Sequence, residues 1–355
     1  MARVLILADD LTGAADSAAA FLGRAREVAV LLRPDLRTRA DVAALDLDTR
    51  SRSERGARDL VRRAFSRRAA KQAPVLFKKI DSTLRGHVSI ELAAARRSLG
   101  PRPVLFVPSF PDQGRVVRDS KLLLNGISAS GDLRALLSGA GLPAAQVDLA
   151  TVRAGGLPRA LRAALATGAR GLACDAVTDA DLDRIARAGL ALRPRPLFVG
   201  SAGLARALGR TFSRRRPAPR AAAARRPVVT VVGSASPVSA RQARRLAGDP
   251  SAILVQMPWR REPTPRDVHA VRRMGRLVAQ AAPRAHYVLT GGGTARAVLD
   301  ARNIHALRLL GEVEPGVPFG MARDGTLVCT KAGAFGAPDT LIRCVARLKR
   351  EMKGS

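Results

Sequence analysis

The sequence predicts an α/β protein of two domains, each a mostly parallel sheet flanked by helices, with the active site in the cleft between them. Three observations predict it. Short apolar runs alternate with helical stretches along the chain, the pattern of parallel sheets covered on both faces. The stretch SRRRPAPRAAAARRP, 213–227, breaks that pattern with Pro, Ala and Arg, and the pattern restarts beyond it. The chain has 355 residues, enough for two domains of ordinary size. The division is therefore 1–212, a linker at 213–227, and 228–355.

The elements follow in order. The run 3–8 is a buried strand ending in acids, and a helix follows it with Thr12 as N-cap and Asp16 in its early turns. Further strands fall at 28–32, 42–47, 75–80, 104–107, 146–149 and 197–199, with helices such as 53–70 and 89–98 between them. Beyond the linker come a strand at 228–232, a helix at 237–246 and a strand at 252–256. A helix at 271–281 and strands at 286–289 and 326–329 complete the second unit.

Composition excludes several classes. Apolar residues make up 47% of the chain, ample for two cores, and with aromatics at 3% those cores rest on Ala, Leu and Val. No apolar run approaches the roughly 18 residues of a membrane span, and the N-terminus lacks the apolar region and cleavage site of a signal peptide. The expected location is the cytoplasm, with no membrane partner. The cysteines, Cys174, Cys329 and Cys344, lie far apart and match no metal spacing, so they read as buried thiols. The net charge of +32 points toward polyanions. Yet the excess is nearly all Arg, dispersed along helices, and one Trp and one Tyr give no platform for stacking bases. No specific nucleic-acid partner is expected. Oligomeric state stays open, a homodimer being one option.

Four loops following strands carry the chemistry, since ligands of open α/β sheets sit at the carboxyl ends of strands. ADDLTGAADS at 8–17 places adjacent carboxylates, Asp9 and Asp10, at a strand end: one to accept a hydroxyl proton, the other to orient substrate or a hydrated metal. KKIDSTLRGH at 78–87 gathers Lys79, Asp81, Ser82 and Arg85 to grip a carboxylate or phosphate. Strand alternation puts Lys79 and Asp81 on one face and Lys78 on the other. GSASPVS at 233–239, with Ser234 and Ser236, opens a helix, and TGGGTA at 290–295, with Gly291, Gly292, Gly293 and Thr294, repeats the device after the next strand. Amides and the helix dipole suit such loops to phosphates. Neither loop is a P-loop or a G-x-G-x-x-G turn, so neither a P-loop ATPase nor a dehydrogenase is expected. In TKAGAFGAPDT at 330–340, Lys331 can meet a phosphate as a point charge beside Gly333.

Together these motifs resemble the four-carbon acid sugar kinase family. ADDLTGAADS, KKIDSTLRGH, VPSFPDQGR at 107–115 and the NG at Asn125 are similar to its N-terminal domain. GSASPVSARQ, TGGGTA, GEVEPGVPFG and TKAGAFG are similar to its C-terminal domain, in the same order, from residue 3 to about 343. The resemblance implies ATP-dependent phosphorylation of threonate, erythronate or their 3-oxo relatives, with Mg²⁺ on the phosphates. It implies an acid-sugar site in the first domain, drawn from Asp9, Asp10, Arg50, Asp81, Ser82 and Arg85. Arg50 would act as a carboxylate clamp and Asp10 as the base, with Asp9 close behind. ATP would meet the Ser234/Ser236 loop, Gly291 to Thr294 and the Gly333 loop. Two departures stand out: Gly293 occupies a position where family members carry Asp or Glu, and the loop after Asn125 is shortened. They motivate the alternative of a non-catalytic acid-sugar or nucleotide-binding protein derived from such a kinase. No metal ligand is assigned.

Overall fold

A computed structural model describes residues 2–33, 38–219, 222–259 and 267–353. Of the linker, 220 and 221 lie outside the described residues. Each half is a mostly parallel sheet flanked by helices, as the alternating pattern predicts. The N-terminal half contributes eight parallel strands in the order Val28–Leu31, Val42–Asp46, Val4–Ala8, Val75–Lys79, Leu197–Gly200, Val104–Val107, Gly171–Cys174 and Ala144–Val147. All but the edge strand Ala144–Val147, which is half-buried, are buried on both faces. Along the first one, Val4, Ile6 and Ala8 enter one apolar cluster and Leu7 the opposite one, as alternation requires.

The two halves share one sheet of 14 strands, a continuity the sequence reading did not contain. Four parallel strands of the C-terminal half, Ile253–Gln256, Val228–Val232, His286–Thr290 and Leu327–Lys331, continue into the antiparallel Pro318–Met321 and Ala306–Glu312. The last pairs antiparallel with Val28–Leu31, Ala306 opposite Leu31 and Arg308 opposite Ala29. A separate antiparallel sheet, Arg115–Arg118, Lys121–Leu124 and Ile127–Ser128, stands beside the N-terminal half.

Several boundaries move. Asp10, not Thr12, caps the helix Leu11–Ala19. Its side chain accepts from Gly13 N at 2.9 Å, and Thr12 Oγ1 donates to Asp10 at 2.7 Å. All nine residues of that helix are buried, which its small side chains permit. The helix expected at 53–70 is two, Glu54–Ser66 and Arg68–Gln72, meeting at an extended Arg67 with Phe65 and Ala70 both fully buried. The strand expected at 146–149 runs Ala144–Val147, because Asp148 caps a helix that begins at Leu149. Lys78 lies on the face opposite Lys79, fully buried, in a 2.6 Å ion pair with Glu91.

Candidate active site

Three neighbouring parallel strands, Val42–Asp46, Val4–Ala8 and Val75–Lys79, end at the same edge and deliver Arg50, Asp9 with Asp10, and Asp81. Arg50 stands at their centre. It donates to Asp9 Oδ2 from Nη2 at 2.8 Å and from Nε at 3.1 Å, and reaches both oxygens of Asp10 at 3.2 and 3.3 Å. Asp81 Oδ1 lies 3.6 Å from the same guanidinium. Burial alone would raise the Asp9 carboxyl, but Arg50, Lys79 and Lys78 outweigh it and hold it below its ordinary value. Burial is likewise overcome at Asp81, which accepts Arg85 Nε at 2.8 Å, Arg85 Nη2 at 2.9 Å and Thr83 Oγ1 at 2.5 Å, and is held well below the carboxylate range. Arg50 is thus the hub of three carboxylates and does not stand as a free cation.

These groups line a cleft of about 370 Å³. Asp10, Asp16, Arg50, Lys79, Asp81, Ser82 and Arg85 face it from the first half, while Asp9, 3% exposed, sits behind them. Lys79 Nζ donates to Ile80 O at 2.8 Å. Sequence reasoning missed Phe110, Arg115, Ala202 and Phe335 as lining residues. Phe110 and Arg115 sat inside the quoted VPSFPDQGR, and their position after the strand Val104–Val107 was the available signal.

The second half closes the cleft with Ser234, Ala235, Ser236, Ala332, Gly333 and Ala334. The two loops press together, since a Cβ on Gly333 would strike Ser234 Oγ. Lys331 departs from expectation. It is fully buried, its Nζ donates to the carbonyls of Ala332, Gly333 and Phe335 at 2.9–3.1 Å, and burial lowers its ammonium to about 8. Lys331, two residues before Gly333, supports the loop from beneath, with its ammonium surrounded by the loop's own carbonyls. Ser239 Oγ donates to Gly333 O at 2.7 Å, and Gln242 Nε2 holds Phe335 O and Ala337 O. With the carbonyls engaged, the amides of Gly333 and Ala334 find no protein acceptor among the described residues, and neither do those of Ser234 and Ala235. Such amide clusters suit anions. Ser239→Ala removes a donor beneath this loop. We expect a loss of about 1–3 kcal/mol in unfolding free energy, read by urea denaturation, together with weaker nucleotide binding.

Gly291 to Thr294 begin the helix Gly292–Ala301 beside the cleft rather than in its lining. A Cβ on Gly292 would lie 2.9 Å from Asp10 Oδ2, so only glycine lets this helix start reach the acid. Thr294 is buried, and its Oγ1 has no hydrogen-bond partner among the described residues. A Cβ on Gly293 would meet only Val271 Cγ1, at 4.0 Å, among the described residues, so a side chain could begin there without a clash.

The family model described as the sugar-binding N-terminal domain matches residues 4–208, and that of the nucleotide-binding C-terminal domain matches 260–341. A D-threonate kinase from Cupriavidus necator is 36% identical, over 95% of this chain and 96% of its own length. The chain belongs to the four-carbon acid sugar kinase family. Another family member, a D-threonate kinase from Bordetella bronchiseptica, is 32% identical over 97% of both chains. A 3-oxo-tetronate kinase from Pseudomonas fluorescens is 27% identical over 76% of this chain and 77% of its own. Solved structures from Salmonella typhimurium and Haemophilus influenzae share the fold, with TM-scores of 0.80 and 0.74 at 19% and 18% identity. Each covers 96% of this chain, and 98% and 99% of their own chains are matched.

Proposed function

We propose that this chain is an ATP-dependent kinase that phosphorylates a hydroxyl of a four-carbon acid sugar, D-threonate first among the candidates. One observation carries the reading: the Asp10 carboxylate of the sugar-binding half stands against the start of the helix Gly292–Ala301 in the nucleotide-binding half. A proton acceptor and a helix N-terminus suited to phosphates meet at one point, the arrangement that in-line phosphoryl transfer needs. In this reading Asp10 takes the proton of the attacking hydroxyl. Arg50, anchored by Asp9, holds Asp10 in place. The free amides of the Ser234 and Gly333 loops receive the phosphates. Among the described residues no group of three or more His, Cys, Asp or Glu side chains is placed to hold a metal ion, the three carboxylates at Arg50 being engaged by its guanidinium. That donor set suits Mg²⁺ arriving on the nucleotide's own phosphates, which it would neutralise, with Asp10 the nearest carboxylate.

We keep 1–212 as the acid-sugar-binding domain and 228–355 as the nucleotide-binding domain. The reading sets the reaction in the cytoplasm, where ATP is available. The test is a coupled assay of ADP release over D-threonate, erythronate and 3-oxo-tetronates with Mg²⁺. Turnover on one of them is expected. ATP binding without turnover on any acid would overturn the kinase reading in favour of a non-catalytic binder.

A further inference from the structure

The cations of the cleft are not equally free. Arg50 is taken by Asp9, Asp10 and Asp81. Arg85 spends Nε and Nη2 on the two oxygens of Asp81. Lys79 Nζ donates to a backbone carbonyl. Arg115 differs. It begins the strand Arg115–Arg118 of the small sheet, and its backbone is pinned to Phe110 in both directions, Phe110 N to Arg115 O at 2.7 Å and Arg115 N to Phe110 O at 3.1 Å. Its Nη1 donates to the backbone and side-chain oxygens of Gln113, both neutral. Its Nε and Nη2 have no acceptor, and it forms no ion pair among the described residues. Burial, only partly answered by Asp81, lowers its guanidinium from the ordinary value. That is the mark of a cation short of counter-charge.

We propose that Arg115 is the carboxylate receptor of the cleft, the specificity-determining residue that separates an acid sugar from a neutral sugar of the same length. The inference rests on the acid-sugar reading and replaces Arg50 in the clamp role. A half-buried guanidinium with a free edge receives a carboxylate through two parallel charge-assisted bonds. It shares the cleft with Ser82, Thr83 and Phe110, while Asp10 and the second half's loops line the same space. An acid sugar whose carboxylate meets Arg115 would turn its hydroxyl end toward Asp10. The small sheet then has a function: it rigidly presents one cation that the main sheet does not supply.

The experiment compares D-threonate with its neutral amide, D-threonamide, on wild type, Arg115→Lys and Arg115→Ala. Both turnover and direct binding by calorimetry are measured. Arg115→Ala is expected to weaken D-threonate binding and raise its KM by about 50-fold, the scale of a lost charged hydrogen-bond pair. Binding of D-threonamide should stay within about twofold, and Arg115→Lys should recover part of the loss because a charge remains without the fork. Unchanged D-threonate affinity in Arg115→Ala, or equal loss for acid and amide, overturns the inference while wild-type turnover keeps the kinase reading. Wild type that binds D-threonate through Arg115 but never phosphorylates it would uphold the inference and remove the kinase reading.

Discussion

Asp10→Asn is expected to lower kcat for the acid sugar by about 10³-fold and to leave KM within a few-fold, the signature of a lost general base. The substitution is clean because of where Asp10 sits. It caps the helix Leu11–Ala19, and Asn caps as well as Asp, so the fold survives the change. Asn Oδ1 still accepts from Gly13 N and from Arg50 Nη2, the contacts now at 2.9 and 3.2 Å. What disappears is the oxygen that faces Gly292 as a proton acceptor, and with it the bonds that Oδ2 accepts from Thr12 Oγ1 at 2.7 Å and Arg50 Nη1 at 3.3 Å. Asp9 makes the useful contrast. It does not line the cleft, and its Oδ2 accepts two bonds from Arg50. Asp9→Asn therefore disturbs the buried side of the hub at Arg50 and should show chiefly in thermal unfolding, whereas Asp10→Asn should show chiefly in kcat with a smaller change in melting. An unaltered kcat in Asp10→Asn removes it as the base.

The strand ends were legible because each is an apolar run that terminates in a cluster of polar residues, and the runs 3–8, 42–47 and 75–80 all proved to be neighbours in the sheet. That adjacency is what brings Asp9, Asp10, Arg50 and Asp81 together. Burial of individual charges was not legible. Lys331 precedes a glycine loop just as a phosphate-binding lysine would, and only packing shows that the loop's carbonyls surround its ammonium. Arg50 was legible as a site residue, but its three protein partners were not, because nothing in LDTRS shows that carboxylates from other strand ends converge on it. The union of the two halves was hidden for a different reason. The pairing of Ala306 with Leu31 joins residues far apart in the chain, and neither segment carries a local signal of its partner. The strand RVVR that begins with Arg115 is half-exposed and short, so it lacks the apolar run by which the main strands are recognised.

The second large effect concerns Asp46, at the end of the strand Val42–Asp46. It is 2% exposed and accepts Arg296 Nη1 at 3.0 Å from the helix Gly292–Ala301, whose start abuts Asp10. Arg296 also binds Asp300 at 2.8 Å, and Arg272 lies 3.6 Å from Asp48, so the loop leading to Arg50 is tied twice to the nucleotide-binding half. Burial raises the Asp46 carboxyl from 3.8 to about 7, against the pull of Arg296 and with Asp48 and Asp10 adding to the rise. A value raised on folding contributes stability that is fully present below the unfolded value and lost as pH climbs through the folded one. Wild type should therefore lose up to roughly 4 kcal/mol of unfolding free energy between about pH 4 and pH 7 through this group. Asp46→Asn has no proton to lose, and denaturant titrations at a series of pH values should show that this slope is absent. At pH 8 the variant should be no less stable than wild type, because a buried charge has become a neutral hydrogen-bonding amide. Its nucleotide KM should nonetheless rise about tenfold, since the amide no longer holds the Arg296 guanidinium and its helix by charge. Wild type should approach that KM as pH falls below about 7 and Asp46 takes up its proton. An Asp46→Asn enzyme with wild-type nucleotide KM at pH 8 would reduce the pair to a packing feature. A raised KM without lost stability would show that the buried charge is kept for placement, setting the start of the helix Gly292–Ala301 against Asp10.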